Sequence, residues 1–363
     1  MFQKLRSPRR RQLHPAVDSL EGRALLNAAM PRHVHQHHVP AHVFAAQPHG
    51  SRAQANSPSI TILNLAGSHG YQFTNLDGPT PGTNAGAGTN LNGISNAGTA
   101  VGFTIDNQGH FGNFTTNPLR MKTANALNIN GSMTAMAFGA NSAGTVVGTD
   151  GNGNAFSLSR RGGLKTFIPG GGKSATAFGI NDRGTIVGQY VTSTATPGFI
   201  QGSGTSLVTI NAPSGPNTVN AQGINNRGLV VGFYVGADGQ DHGFVANVKF
   251  ARNGVLTGTP IADPTIPTVA GEPGATFVFS QILGINDQGI AVGYYGDSTT
   301  SQHGFLYNIK TKQYTFLDDP SEAFNNGVEV TQITGITNSG EITGFYSDAN
   351  GVFHGFVATP HRH

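Results

Sequence analysis

The 363-residue sequence contains no cysteine and no tryptophan, and Asp, Glu, Lys and Arg together make up only 11% of it. Without cysteine there is no disulfide framework, no cysteine zinc site and no thiol nucleophile. No apolar run approaches the roughly 18 residues of a membrane helix, so we expect no membrane span. The Gly-x-Ser-x-Gly and His-Glu-x-x-His signatures are missing as well. These absences favour a protein that is not an enzyme.

Glycine, in contrast, is abundant, with 52 residues. This composition suits many short strands joined by tight turns better than it suits helices. The charge is uneven along the chain, because residues 1–52 hold eight Lys and Arg against Asp18 and Glu21. The remaining residues are mildly acidic. A nucleic-acid surface needs clustered basic charge, so we expect no nucleic-acid partner.

Residues 1–30 form a basic segment that lacks the apolar run of an ordinary secretory signal. The segment Leu20-Glu21-Gly22-Arg23-Ala24-Leu25-Leu26 resembles the Leu-Glu-x-Arg-x-Leu-Leu leader of exported planctomycete-type bacterial proteins. That resemblance implies an extracellular or cell-surface location.

Residues 31–58 are rich in proline, histidine and alanine and show no periodicity, which is typical of a disordered linker. Neutral imidazoles on a flexible chain can bind Zn, Cu or Ni. We interpret the tract as a linker with incidental metal affinity, and a dedicated metal site is the alternative. The candidate metal ligands are His33, His35, His37 and His38.

One pattern recurs six times along the rest of the chain, and it contains a glycine, an Asx-rich turn, a second glycine, an apolar strand and a closing glycine. The repeats begin at Gly93, Gly139, Gly179, Gly223, Gly284 and Gly335. Asx at the start of a type I turn and glycine at its end predict a tight hairpin in every repeat. The predicted turn glycines are Gly98, Gly144, Gly184, Gly228, Gly289 and Gly340.

A small residue and phenylalanine follow each hairpin at the head of another strand, and the first repeat supplies Gly109-His110-Phe111 in this role. With a further strand before the next repeat, each repeat has four strands. Residues 59–363 are therefore predicted to form an all-β propeller of about six four-stranded blades. An open β-solenoid of antiparallel hairpins is the alternative. The strand-like residues 59–65 are predicted to latch the ring onto the last blade.

We expect the closing glycine of each repeat to lie where a neighbouring sheet approaches too closely for a Cβ atom. These glycines are Gly102, Gly148, Gly188, Gly232, Gly293 and Gly344.

Residues 71–358 resemble the HAF-repeat family of extracellular bacterial repeat proteins. The likeness rests on the Gly-Ile-Asn-Asp-x-Gly core and on the His-Gly-Phe elements at His242, His303 and His354. Repeats one and two depart from the family pattern, with Ser95 and Ala140 interrupting its Gly-Ile-Asn core. The resemblance implies an extracytoplasmic repeat protein and supplies no catalytic residues.

The three histidines of these elements are the candidate binding residues. They are predicted to cap turns within their own blades, and an arc of ligand-binding groups is the alternative. The oxygen-rich turns at Asp150 and Asp238 resemble calcium loops but lack the distal glutamate. We interpret them as hairpin turns, so Ca or Zn is a weak possibility and no cofactor is expected.

Two functions remain open from the sequence. The first is a non-enzymatic surface binding or structural module, monomeric, which holds a glycan, a peptide or a matrix component. The second is a propeller-fold polysaccharide hydrolase or lyase, for which four acids after residue 317 could supply a carboxylate pair. We interpret these acids as solvated loop residues. They are Asp318, Asp319, Glu322 and Glu329.

Overall fold

Twenty-six β-strands and two three-residue 3-10 helices make up the regular structure of the computed structural model, which describes residues 61–64, 70–118, 124–202, 206–264 and 274–361. The predicted leader (1–30) and the predicted linker (31–58), with its four candidate metal-binding histidines, lie outside the described residues. All described residues belong to one unit of the chain, Gly50–His363.

The strands form six antiparallel meanders, or blades, and in each of them strands A to D are numbered outwards from the ring axis. Blade 1 has β3 (Gly88–Ile94), β4 (Ala100–Ile105), β5 (Phe111–Thr116) and β6 (Ala124–Ala126). Blade 2 has β7 (Met136–Ala140), β8 (Val146–Thr149), β9 (Ala155–Leu158) and β10 (Leu164–Phe167). Blade 3 has β11 (Ser174–Ile180), β12 (Ile186–Val191), β13 (Gly198–Gln201) and β14 (Val208–Asn211), and the 3-10 helix η1 (Pro169–Gly171) precedes it.

The other three blades carry longer connections. Blade 4 has β15 (Val219–Ile224), β16 (Leu229–Val235), β17 (Asp241–Asn247) and β19 (Thr259–Pro260). Between β17 and β19 lie η2 (Val248–Phe250) and β18 (Val255–Thr257), and β18 adds a parallel fifth strand to β14 of blade 3. Blade 5 has β20 (Phe277–Ile285), β21 (Ile290–Asp297), β22 (Gln302–Asn308) and β23 (Gln313–Phe316).

Blade 6 is assembled from both ends of the described chain. Its strands are β24 (Thr331–Ile336), β25 (Ile342–Ser347), β26 (Phe353–Pro360) and β2 (Tyr71–Asp77), with β1 (Thr61–Asn64) outside β2. The prediction that residues 59–65 latch the ring therefore needs correction. Strand β2 pairs with β26 and is the latch strand, whereas β1 pairs with β2. Phe73 of β2 is fully buried and packs on Phe356, with ring centroids 5.2 Å apart.

The A strands close the ring. Each A strand packs against the A strands of both neighbouring blades, and β24 of blade 6 contacts β3 of blade 1 as well as β20 of blade 5. This circular contact makes the fold a six-bladed β-propeller and excludes the open solenoid.

Glycine permits the close approach of the A strands. A Cβ atom on Gly335 would lie 3.0 Å from the Cα of Gly93, and one on Gly223 would lie 3.0 Å from the Cα of Gly284. These are the leading glycines of the repeats, so the prediction that the closing glycines face a neighbouring sheet is wrong. A Cβ on the closing Gly344 would instead lie 2.0 Å from the carbonyl oxygen of Gln332, on the paired strand of its own blade.

The predicted turn glycines lie at the end of each A–B hairpin in the left-handed region, with φ between +77° and +92°. That backbone conformation is costly for any residue with a Cβ atom. The hairpin turns therefore depend on glycine at these six positions.

A buried phenylalanine on strand C fills the interior of each blade opposite the closing glycine. In blade 1 this residue is Phe114, which pairs with Gly102 and is fully buried, and not the predicted Phe111. Spacing carried the correct signal, because twelve positions lead from Gly102 to Phe114 just as they lead from Gly293 to Phe305. The six phenylalanines are Phe114, Phe156, Phe199, Phe244, Phe305 and Phe356.

Candidate functional site

The ring has two chemically different ends. We call the end with the A–B and C–D turns the A–B face, and the end with the B–C turns and the D–A connections the B–C face. Because every blade is an antiparallel meander, each loop can be assigned to one face from the strand order.

Asx side chains tie the A–B turns to one another around the axis. In five of the six blade junctions, a backbone N–H at the second turn position donates to the side-chain oxygen of the equivalent residue in the adjacent blade, over 2.7 to 3.0 Å. The residues at this position are Asn96, Ser142, Asp182, Asn226, Asp287 and Asn338. The space that they surround measures about 60 Å³, which is room for only one or two waters. The axis is therefore closed at this face.

On the B–C face, the three predicted histidines each join two aspartates of their own blade. His242 Nδ1 lies 3.0 Å from Asp263 Oδ2, and its Nε2 lies 3.0 Å from Asp238 Oδ2. A tyrosine of strand B, Tyr234, packs against the imidazole with ring centroids 5.8 Å apart. We call this unit the His clasp. It connects the B–C turn to the end of strand D.

Blades 5 and 6 repeat the His clasp. His303 Nδ1 lies 3.0 Å from Asp318 Oδ2, with Asp297 3.7 Å from Nε2. In blade 6, His354 Nδ1 lies 3.0 Å from Asp77 Oδ1, with Asp348 3.6 Å from Nε2. Each histidine is thus engaged inside its own blade, and this geometry favours the predicted turn-capping role over an arc of ligand-binding groups.

The clasp of blade 5 differs because it is buried. The side chain of His303 is 1% exposed, whereas that of His242 is 18% exposed. Burial disfavours the charged imidazole, but the hydrogen bond and charge of Asp318, supported by Glu322 and Glu329, raise the pKa of His303 to about 9. His303 is therefore positively charged at neutral pH.

A carboxylate cluster lies beside His303, where the D–A connection of blade 5 passes over blade 6. The prediction that these acids are solvated is wrong for Asp319 and Glu329, which are 1% and 8% exposed. The Thr331 hydroxyl donates to Glu322 Oε2 at 2.6 Å, and Asn75 of the latch strand donates to Ser321 at 2.9 Å. The cluster consequently depends on contacts between residues far apart in sequence.

Burial changes the acidity of two members of this cluster. It raises the pKa of Asp319 to about 6, and burial together with the charge of Asp318 raises the pKa of Glu322 to about 9. Glu322 is therefore protonated at neutral pH. Raised carboxyl pKa values next to a charged histidine are found both at catalytic sites and in structural networks.

The calcium-like turns use their carboxylates internally. Asp150 Oδ1 accepts from the backbone N–H groups of Asn152 and Asn154, at 2.8 and 3.0 Å. The Asp238 carboxylate accepts from Gln240 N and lies against His242. Across the described ranges, no three His, Asp or Glu side chains are grouped as ligands of a metal ion.

A groove lies between blades 1 and 2, where the repeats depart from their consensus, and it extends from turns of the A–B face to the D–A connection of blade 1. The groove has a volume of about 860 Å³ and continues past Arg160 into a recess of about 590 Å³. Amide and hydroxyl side chains dominate its polar lining, and Leu127, Leu158 and Leu164 supply apolar wall. Neither space is lined by an acidic or an aromatic residue among those described. The groove was not predicted from the sequence, although the irregular first and second repeats form its walls.

Two asparagines of the groove are available to a ligand. Asn125 and Asn130 are exposed, and their side-chain amides make no hydrogen bond to any other described residue. The Arg160 side chain lies across Gly144, where a Cβ atom would come within 3.3 Å of it. The turn glycine therefore makes room for the arginine at the groove wall.

Comparisons with known proteins found no matching family model and no matching curated protein. Among solved structures, a putative TolB from Agrobacterium tumefaciens aligns at 12% identity and a TM-score of 0.35, covering 58% of this chain and 75% of the other. TolB from Acinetobacter baumannii aligns at 10% identity and 0.33, covering 83% and 64%. Aleuria aurantia lectin with α-methyl-L-fucoside aligns at 9% and 0.38, covering 84% and 96%. Function is therefore inferred from this chain's own residues.

Proposed function

We propose that this protein is a non-enzymatic, extracytoplasmic repeat protein that binds a glycan of the cell surface or its matrix in the groove between blades 1 and 2. The groove is the observation on which the proposal rests. Amides and hydroxyls donate and accept hydrogen bonds, as sugar hydroxyls require of a partner. The spacing of Asn125 and Asn130 along an open groove suits an extended chain better than a small enclosed molecule.

The proposed location rests on two sequence resemblances, the exported-protein leader at residues 20–26 and the HAF repeats. In keeping with it, no helix in the described part of the chain is long and apolar enough to cross a membrane. Peptide and matrix-protein ligands are the alternatives to a glycan.

Filling the groove tests the proposal. Ala126 lines the groove on the exposed strand β6, so Ala126→Trp should block a ligand without disturbing the core. Ala237→Trp, on an exposed B–C turn, is the matched control. We expect a glycan and peptidoglycan array to detect saturable binding by the full chain and by the control, and a loss of at least about tenfold in Ala126→Trp. Equal binding by both variants would place the ligand elsewhere.

A polysaccharide hydrolase or lyase is the second candidate, supported by the carboxylate cluster beside His303. A protonated Glu322 and a carboxylate at Asp319 could act as general acid and base. Glu322→Gln keeps the Thr331 hydrogen bond and removes the proton donor. Release of reducing or unsaturated sugar by the full chain, lost in Glu322→Gln, would establish this candidate and end the non-enzymatic proposal. Turnover that persists in Glu322→Gln would exclude this cluster as its source.

A further inference from the structure

Charge is sorted between the two faces of the propeller. The described residues include ten Lys and Arg. One of them, Lys173, lies on the B–C face, and another, Lys165, lies within strand β10. The other eight lie in turns of the A–B face. They are Arg160, Arg161, Arg183, Arg227, Lys249, Arg252, Lys310 and Lys312.

The acids show the opposite distribution. Only Asp182, Asp287 and Glu341 lie in turns of the A–B face. Twelve others lie on the B–C face: Asp77, Asp106, Asp150, Asp238, Asp241, Asp263, Asp297, Asp318, Asp319, Glu322, Glu329 and Asp348. The described propeller is acidic in total, and the positive charge of its A–B face is hidden in that sum.

The eight A–B face cations are accessible to a ligand, although Lys249 also packs over the Phe250 ring, with its Nζ 4.8 Å from the ring centroid. All of them are exposed, and none is held in an ion pair by another described residue. The three acids of this face are engaged by neighbouring groups. Asp182 and Asp287 accept hydrogen bonds from Asn226 in the axial ring, and Glu341 accepts from the hydroxyl of Thr337. The face therefore presents a net positive charge, because its eight cations outnumber its three acids.

We infer that the groove of the A–B face binds an anionic polysaccharide, one whose sugars carry carboxylate or sulfate groups, and that Arg160 and Arg161 pair with those groups. This inference rests on the proposed glycan-binding function and specifies its ligand. Arg160 separates the two parts of the groove, so an anionic sugar can pair with it while its neighbours contact the amides on either side. Arginine binds carboxylate and sulfate in a planar, two-pronged geometry.

A polysaccharide fits this face better than a nucleic acid or an anionic membrane does. Nucleic acid needs closely spaced cations along its backbone and aromatic side chains for its bases, and no aromatic residue is among those described in the groove. A membrane needs exposed apolar side chains beside the cations, and among the described residues of this face the exposed large apolar side chains are Phe250 and Val255, in the connection between β17 and β19.

The test compares polymers that differ only in charge. Polygalacturonate and its fully methyl-esterified form are measured against the immobilised full-length protein by biolayer interferometry between about 50 and 300 mM NaCl. We expect polygalacturonate to bind, esterification to abolish binding, and affinity to fall as salt rises. Arg160→Ala should lower the affinity about tenfold, and Arg160→Ala with Arg161→Ala should lower it further.

Lys173→Ala is the matched control, because it removes one positive charge from the opposite face. Every variant retains the basic residues 1–52, so differences between variants report the propeller alone. Equal losses in Arg160→Ala and Lys173→Ala, or no loss in either, would overturn the inference. Equal binding of single-stranded DNA or of phosphatidylglycerol vesicles would overturn its restriction to polysaccharide.

The outcomes also separate the inference from the proposed function. Binding of neutral glycans that Ala126→Trp blocks and Arg160→Ala does not would retain a glycan-binding groove and refute the anionic ligand. Binding of no glycan, charged or neutral, would refute both. Circular dichroism and thermal melting of each variant confirm that the fold is retained.

Discussion

The two faces of this propeller use charged residues in opposite ways. On the B–C face, aspartates and histidines pair within blades 4, 5 and 6 and connect their strands through the His clasps. On the A–B face, Asn and Asp side chains join the turns around the axis, and the arginines and lysines project into solvent. Charge that is engaged inside the fold supports stability, whereas charge left exposed is available for binding.

The largest expected effect comes from breaking the buried clasp. His303→Ala leaves Asp318 and Glu329 without their cation, and removing one partner of a buried pair costs about 3 kcal/mol or more. His242→Ala removes the equivalent clasp of blade 4, which is more exposed to solvent, and should lower the free energy of unfolding by about 1 kcal/mol. Urea denaturation at pH 7 measures both. Equal losses would mean that burial does not distinguish the two clasps.

The next effect is a dependence of stability on pH that arises on the B–C face. Folding raises the pKa of Glu322 and of His303, each to about 9, so the folded state binds more protons than the unfolded state does. Stability should therefore fall as pH rises from about 5 to about 9.

Glu322→Gln tests the origin of this slope. The amide needs no proton uptake on folding, so the variant should be more stable than the wild type by about 1 to 3 kcal/mol at pH 8 and nearly equal to it at pH 4.5. Denaturant titrations across this range provide the check. A wild-type curve that is flat, or that rises with pH, would contradict the assignment.

A smaller effect is expected from the amides of the A–B face. Asn286 donates to the carbonyl of Thr337 in the next blade and accepts from two N–H groups of its own turn. Asn286→Ala should cost about 1 to 2 kcal/mol. Because these partners are neutral, the cost should be the same in low and high salt, and a strong salt dependence would contradict the contrast between the faces.

The smallest effect should follow removal of the exposed cations. Arg183→Ala and Arg227→Ala each delete an exposed side chain, and we expect changes within about 0.5 kcal/mol in thermal or urea unfolding. A decrease of more than about 1 kcal/mol in the free energy of unfolding would show that these arginines stabilise the fold, which would contradict their availability to a ligand.

The sequence was sufficient to predict the blades, since each A–B turn is specified by local chemistry. Asn, Ser or Thr and glycine at fixed offsets determine a hairpin, and six copies of this pattern imply six blades. The spacing from the closing glycine identifies Phe114 as the phenylalanine that fills blade 1, whereas the Gly-His-Phe motif points to Phe111. The leading and closing glycines could not be assigned from sequence, because both positions exclude a Cβ atom and only the packing shows which backbone lies opposite.

The sites were harder to predict because they depend on distant residues. The acids near Glu322 lie in a connection that the latch strand contacts from the other end of the chain, where Asn75 donates to Ser321 and to Asp319. The net charge of the chain does not reveal the basic A–B face. Only the strand topology shows which turn residues lie on the A–B face and which lie on the B–C face. A charge count weighted by turn position would have shown it.

The latch has a consequence for how the protein matures. Strand β2 is made early, but its partner β26 ends at Pro360, almost the last residue described. Strand β2 must therefore wait, with one edge unpaired, until β26 has been synthesised. A chain truncated before residue 353 cannot complete its sixth blade, so the same contact that closes the ring also distinguishes chains that contain β26 from shorter fragments.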